Sequence, residues 1–191
     1  MADIDDPITD SVLDEERQRY RGAWLDQSIP RKLLYIAVLL GSLGLALPMV
    51  VAAPDHGLFD GETLRSAAPT GMLLAVVGIG ILSACALGLG AIHLARRRLD
   101  LDPQAAYSTY VLEDMAGMLA FVPGSLSVGY SQFLVVVFFR GRGAVEAYTR
   151  VLGADPTAQS SLAPPVPLVA LAGIVAAAAV YALSQYAAYT D

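Results

Sequence analysis

Two adjacent carboxylates, Glu113 and Asp114, are the residues of this chain best suited to chemistry. They lie inside a largely apolar stretch from Tyr107 to Phe139, where a charged side chain is costly and is therefore a functional candidate. A carboxylate pair at membrane depth could bind a cation or relay a proton. If the chain meets the membrane surface at this point instead, the pair is an ordinary set of interfacial charges.

Polar side chains gather just after the Pro123-Gly124 pair of the same stretch. A polar, glycine-containing turn at membrane depth is tolerated where protein or water satisfies its backbone. Such a turn could line a path for a substrate or an ion, as in the discontinuous helices of transporters. The alternative is a plain turn whose hydroxyls bond neighbouring carbonyls. The polar residues are Ser125, Ser127, Tyr130, Ser131 and Gln132.

Three other segments are long enough and apolar enough to cross a bilayer, which takes about 20 residues. Leu33 to Ala53 has no charged residue in 21 positions, and Val166 to Tyr189 has none in 24. Gly71 to Ala95 holds only His93, which we expect to meet the lipid headgroups. The sequence therefore predicts an all-α, polytopic helical membrane protein with transmembrane helices at 33–53, 71–95 and 166–189.

The stretch from 104 to 139 has two interpretations. The Pro123-Gly124 pair predicts a break after a helix from Pro103 to about Phe121, and hence a helical hairpin. A single kinked crossing is the alternative. Basic residues concentrate on the cytoplasmic side of membrane proteins. A hairpin places eleven of the twelve Lys and Arg residues on the side of the N-terminus, and a single crossing places eight there. This count favours the hairpin, and in both cases it predicts a cytoplasmic N-terminus.

Two short amphipathic helices are also predicted, at about 11–28 and 143–152. Gly153 has the position of a C-cap for the second. We expect a cytoplasmic tail with a juxtamembrane helix at 1–30 and a single membrane domain at 31–191, because the remaining linkers are too short for a core of their own.

Small residues recur along one face of each of the first two spans. Small side chains let helix backbones approach closely, and close packing drives helix association in lipid. The sequence therefore predicts helix packing at Gly41 and Gly44 of the first span, and at Gly80, Ala84 and Gly88 of the second.

The charge balance excludes one class of partner. Eighteen acidic and twelve basic residues give a net charge of −6, whereas nucleic-acid binding requires clustered cations. Asp greatly outnumbers Glu and Lys32 is the sole lysine, a bias typical of salt-adapted membrane proteins. The expected partners are the lipid bilayer and other membrane helices.

No recognisable catalytic, metal-binding or cofactor motif occurs, so we expect no enzyme activity and no cofactor. The single cysteine, Cys85, is expected to be a small packing residue. The leading hypothesis is a non-catalytic subunit or scaffold. The alternative is a small oligomeric transporter or channel that uses Glu113, Asp114 and the Pro123-Gly124 turn. A third is a lipid-modifying enzyme in which Arg140, Arg142 and Arg150 hold a phosphate.

Overall fold

The computed structural model of the protein describes residues 27–52, 58–59, 68–99, 103–159 and 164–190. This part of the chain is helical apart from short connections. The helices are α1 (Ile29–Ala52), α2 (Leu73–Arg98), α3 (Pro103–Phe139), α4 (Arg142–Leu152) and α5 (Val166–Thr190), with a 3₁₀ turn at Thr70–Met72 before α2.

Four of these helices, α1, α2, α3 and α5, are long and apolar enough to cross a membrane within the described residues. The prediction of an all-helical polytopic membrane protein is therefore confirmed. The first span begins four residues earlier than predicted, because Pro30 is accommodated in the first turn of α1, where no intrahelical N–H is needed. The helix predicted at 11–28 lies outside the described residues, except for its last two positions, which are not helical.

The prediction of a hairpin within 104–139 is wrong. Helix α3 runs without interruption for 37 residues from Pro103 to Phe139, with Pro123 in its interior. At 1.5 Å per residue this is about 55 Å, enough for one crossing with both ends beyond the hydrocarbon layer. The single crossing, which the basic-residue count favours less, is the correct alternative.

Gly124 contributes to helix packing and does not form a turn. A Cβ atom at this position would lie 2.7 Å from Cδ2 of Leu82 on α2 and 3.1 Å from Cδ1 of Leu39 on α1. Pro123 removes one backbone N–H, but such a loss is tolerated in membrane helices, where neighbouring groups satisfy the freed carbonyl. The Pro-Gly pair therefore marks the place where three helices meet.

The four long helices pack with α1 and α2 in contact at the centre. Helix α5 packs along α1, and α3 packs chiefly against α2 and also against α1. The described parts of α3 and α5 share almost no contact, so they lie on opposite sides of the α1–α2 pair. Fully buried side chains from the central pair form much of the core: Leu33, Ile36, Leu40, Leu43 and Leu47 of α1, with Leu82 and Leu89 of α2.

The linkers beyond the far ends of the helices meet one another. The backbone N–H of Thr70 donates to the carbonyl of Ala158 at 2.7 Å, and that of Gly71 donates to the carbonyl of Pro156 at 3.1 Å. The segment before α2 therefore lies on the same side of the bundle as the segment after α4. We call this side the far boundary and the side of Lys32 the N-side boundary.

Helix α4 is a short amphipathic helix at the far boundary. It follows Gly141, whose φ of 80° and ψ of −163° are accessible essentially only to glycine. It ends at Leu152, and the next residue, Gly153, is left-handed at φ 71°, as the predicted C-cap requires. Val145 and Tyr148 face the bundle, whereas Leu152 is 58% exposed.

Candidate functional site

Glu113 is held by a cation from each of two other helices. Its Oε2 atom accepts a hydrogen bond from Nη1 of Arg96 on α2 at 2.7 Å. Its Oε1 atom accepts from Nζ of Lys32, in the first turn of α1. Both oxygens of the carboxylate are therefore used in ion pairs, and this ion cluster joins three helices at the N-side boundary.

The surroundings of Arg96 complete the cluster. Its Nε donates to Oγ1 of Thr109 at 3.0 Å, and its guanidinium carbon lies 4.1 Å from the ring centroid of Tyr110. Arg96 also occupies the last turn of α2, where the helix dipole favours a positive charge. One carboxylate, one hydroxyl and an aromatic face thus hold the guanidinium in one orientation.

Lys32 is the member of the cluster that lies deepest. Its side chain is 0% exposed. Lysine is almost never fully buried unless it is paired, as Lys32 is here with Glu113. The sequence patterns described above do not predict the role of Lys32. The available signal is that the chain's single lysine stands one turn inside an apolar helix. Its partner, 81 residues away, cannot be found from spacing.

This geometry limits what Glu113 can do chemically. A transported cation would have to displace Lys32 or Arg96 to reach a carboxylate oxygen. A cluster of this kind fixes the relative position of helices, since removing one member leaves uncompensated charge in a buried place. Asp114 follows on the same turn of α3 and is half-buried.

The polar residues after Pro123 serve mostly as contacts between helices. The hydroxyls of Tyr35 on α1 and Ser125 on α3 lie 2.7 Å apart, and Nε2 of Gln132 donates to the carbonyl of Ser42 at 3.3 Å. Ser127 is buried against Gly78, whose Cβ, if present, would lie 2.7 Å from that of Ser127. These residues therefore join α3 to α1 and α2.

Tyr130 connects α3 to the short amphipathic helix. Its hydroxyl forms a hydrogen bond with the hydroxyl of Tyr148, and the ring of Tyr148 lies 6.2 Å from that of Phe133. The contact fixes α4 to the end of α3. Nothing in the sequence indicates that Tyr130 and Tyr148 are partners.

His93 does not meet the headgroups as predicted. Its side chain is buried, and Nε2 lies 3.0 Å from Oγ1 of Thr190, the last residue of α5. His93 thus joins the ends of α2 and α5. Among the residues that the structure describes, no three His, Cys, Asp or Glu side chains lie close enough together to hold a metal ion.

The predicted packing residues of α1 lie at its contact with α5. A Cβ on Gly44 would come within 2.9 Å of the backbone nitrogen of Ile174, so the two backbones touch there. At Gly41 a Cβ would lie 3.8 Å from the Cβ of Ala177, an ordinary contact. Both residues face α5, and Gly44 has the closer approach.

The predicted packing residues of α2 lie elsewhere. Ala84 is exposed, and a Cβ on Gly80 or Gly88 would meet no atom within 4 Å in the described part of the chain. Inside the bundle, α2 uses Gly78 and Gly90 for close packing instead. Gly80, Ala84 and Gly88 therefore form an outward stripe, to which we refer as the small-residue stripe.

The three arginines near the far boundary do not converge on one phosphate site. Arg140 lines an apolar groove between α3 and α4, whereas Arg142 and Arg150 line a separate cavity that also contains Glu146 and Asp155.

No protein-family model, curated protein or solved structure matches this chain.

Proposed function

We propose that this protein is a non-catalytic membrane subunit that packs against the helices of another copy or of a partner protein. One observation carries the proposal: the small-residue stripe on α2 faces away from the bundle. Gly80, Ala84 and Gly88 recur at intervals of four residues, which is the pattern of close helix–helix contact in lipid. Small residues confer no comparable advantage against lipid, which fills any surface.

The flanking side chains suit this role. Val77 and Leu87 are 52% and 72% exposed, so the described part of the bundle leaves the surface around the stripe open to a second helix. In lipid, helix association depends on van der Waals packing, which a close approach of backbones at small residues strengthens. The stripe thus supports a partner helix at short interaxial distance.

The transporter alternative has less support. Its central carboxylate, Glu113, is already paired with Lys32 and Arg96, and its polar residues Ser125 and Gln132 bond to α1. These groups hold helices together, which is what a structural subunit requires.

We further propose that the protein lies in the cell membrane with its N-terminus in the cytoplasm. Four crossings would put both ends of the chain on one side, together with eight of the twelve basic residues. They are Arg17, Arg19, Arg21, Arg31, Lys32, Arg96, Arg97 and Arg98.

Purification of a tagged copy in mild detergent tests the subunit proposal. We expect the protein to elute in an assembly larger than one chain, and Gly80→Leu with Gly88→Leu to release it as a folded monomer. The matched control is Ala179→Leu, an exposed small residue on α5, which should leave the assembly intact. A wild-type protein that elutes as a lone monodisperse monomer would contradict the proposal.

A further inference from the structure

A groove of about 490 Å³ separates the C-terminal end of α3 from α4. This volume lies within the range of roughly 300–1,000 Å³ that is usual for small-molecule sites. Within the described part of the chain its walls are almost entirely apolar, and Arg140 supplies the one charged side chain. The apolar walls include Phe133, Val136 and Val137 of α3 with Ala144, Ala147 and Val151 of α4.

The groove lies at the far boundary, where lipid chains end and headgroups begin. Helix α3 ends at Phe139, which places Phe133 and Val136 in its last two turns. Both side chains are about half exposed, so the groove is open to the lipid that surrounds the span. An apolar cavity open to hydrocarbon is filled by an acyl chain, since water gains no hydrogen bonds there.

Arg140 is placed to select the headgroup of that lipid. It follows the last residue of α3 directly, is exposed, and makes no ion pair with any described residue. An arginine at a membrane boundary lays its stem along apolar surface and presents its guanidinium to the interface. The planar guanidinium matches a phosphate through two parallel hydrogen bonds.

The second cavity of α4 provides a contrast. Arg142 and Arg150 line it together with the carboxylates of Glu146 and Asp155, which would repel an anion. Among the described residues, no acidic side chain lines the groove of Arg140. Of the two sites, the groove is therefore the one better suited to an anion.

We propose that the groove between α3 and α4 binds one anionic phospholipid of the bilayer. Its acyl chain lies between Phe133 and Ala147, and its phosphate accepts hydrogen bonds from Arg140. This inference is independent of the subunit proposal, because the groove and the small-residue stripe lie on different helices.

Native mass spectrometry of the delipidated full chain, with added phosphatidylglycerol or phosphatidylcholine of identical chains, tests the site. We expect one phosphatidylglycerol to be retained in preference to phosphatidylcholine. Arg140→Gln should lower its affinity by about tenfold, the loss expected for a charge-assisted hydrogen bond, and Arg140→Lys should lower it less. The matched control, Arg97→Gln, removes an exposed arginine at the N-side boundary and should change nothing.

A second variant separates the groove from general attraction of anionic lipid to basic residues. Ala147→Trp fills the groove while Arg140 remains, and should abolish retention of the single phosphatidylglycerol. Equal retention of the two lipids by the wild type overturns the proposal. So does a phosphatidylglycerol preference that survives either Arg140→Gln or Ala147→Trp.

Discussion

Gly44 of α1 and Gly173 of α5 bring the backbones of their helices into direct contact. A Cβ on Gly173 would lie 2.9 Å from Cα of Gly44, a distance that real Cβ atoms essentially never show. Because the obstructing atoms are backbone, they cannot rotate away as a flexible side chain would. The contact between α1 and α5 therefore depends on the absence of side chains at both positions.

We expect Gly44→Ala to destabilise the protein by roughly 1–3 kcal/mol through overpacking. Unfolding of the purified protein in detergent, followed by circular dichroism, measures this effect. Gly41→Ala is the matched control on the same helix face, since its Cβ would make only an ordinary 3.8 Å contact. If the Gly44→Ala protein were as stable as Gly41→Ala, the contact between α1 and α5 would not depend on the absence of a side chain at Gly44.

The ion cluster predicts unequal effects for its members. Glu113→Gln leaves both Lys32 and Arg96 without their carboxylate, and we expect a loss of roughly 3–5 kcal/mol, as for other broken buried ion pairs. Lys32→Met should cost less, because Glu113 keeps its bond to Arg96 and the methionine side chain fills the place of the lysine's apolar stem. The same unfolding measurement ranks them, with Arg97→Gln as an exposed control. A larger loss for Lys32→Met than for Glu113→Gln would refute this assignment of charges.

The turn between α3 and α4 depends on the backbone of Gly141. Its φ of 80° and ψ of −163° are sterically costly for any residue with a Cβ, so Gly141→Ala should cost roughly 1–3 kcal/mol. Hydrogen exchange of the α4 amides should accelerate in this variant. Gly143→Ala, two residues later inside α4, adds a Cβ that meets no described atom within 4 Å, and should leave exchange unchanged or slower. Equal exchange in the two variants would rule out a strained turn.

A chain that crosses the membrane four times has each linker on a defined side, and thiol labelling can check these sides. In a Cys85→Ala background, a cysteine at Ala154 in the linker after α4 should react with an impermeant reagent on intact cells. Cysteines at Ser28, before α1, and at Leu99, after α2, should react only after the membrane is opened. Labelling of Ser28 and Leu99 on intact cells, with protection of Ala154, would reverse the proposed orientation.

The amino-acid sequence was sufficient to predict the class of the protein and most of its helices. Hydrophobic length is a local property, so the spans at 33–53, 71–95 and 166–189 could be predicted without knowledge of any neighbour. The C-terminal end of α4 was equally local, since the left-handed C-cap needs only Gly153 itself. The presence of a costly carboxylate at Glu113 could also be seen, although its partners could not.

Only the tertiary structure decided how those helices use their special residues. The Pro123-Gly124 pair is compatible with a turn and with a close helix contact. The close contact forms because Leu82 of α2 and Leu39 of α1 pack against Gly124. Two glycines of α2 also differ in their use: Gly78 faces Ser127 of α3, whereas Gly80 faces outward. Glycine allows a close approach but does not specify the surface that approaches it. That information lies in residues distant along the chain, and folding brings them together.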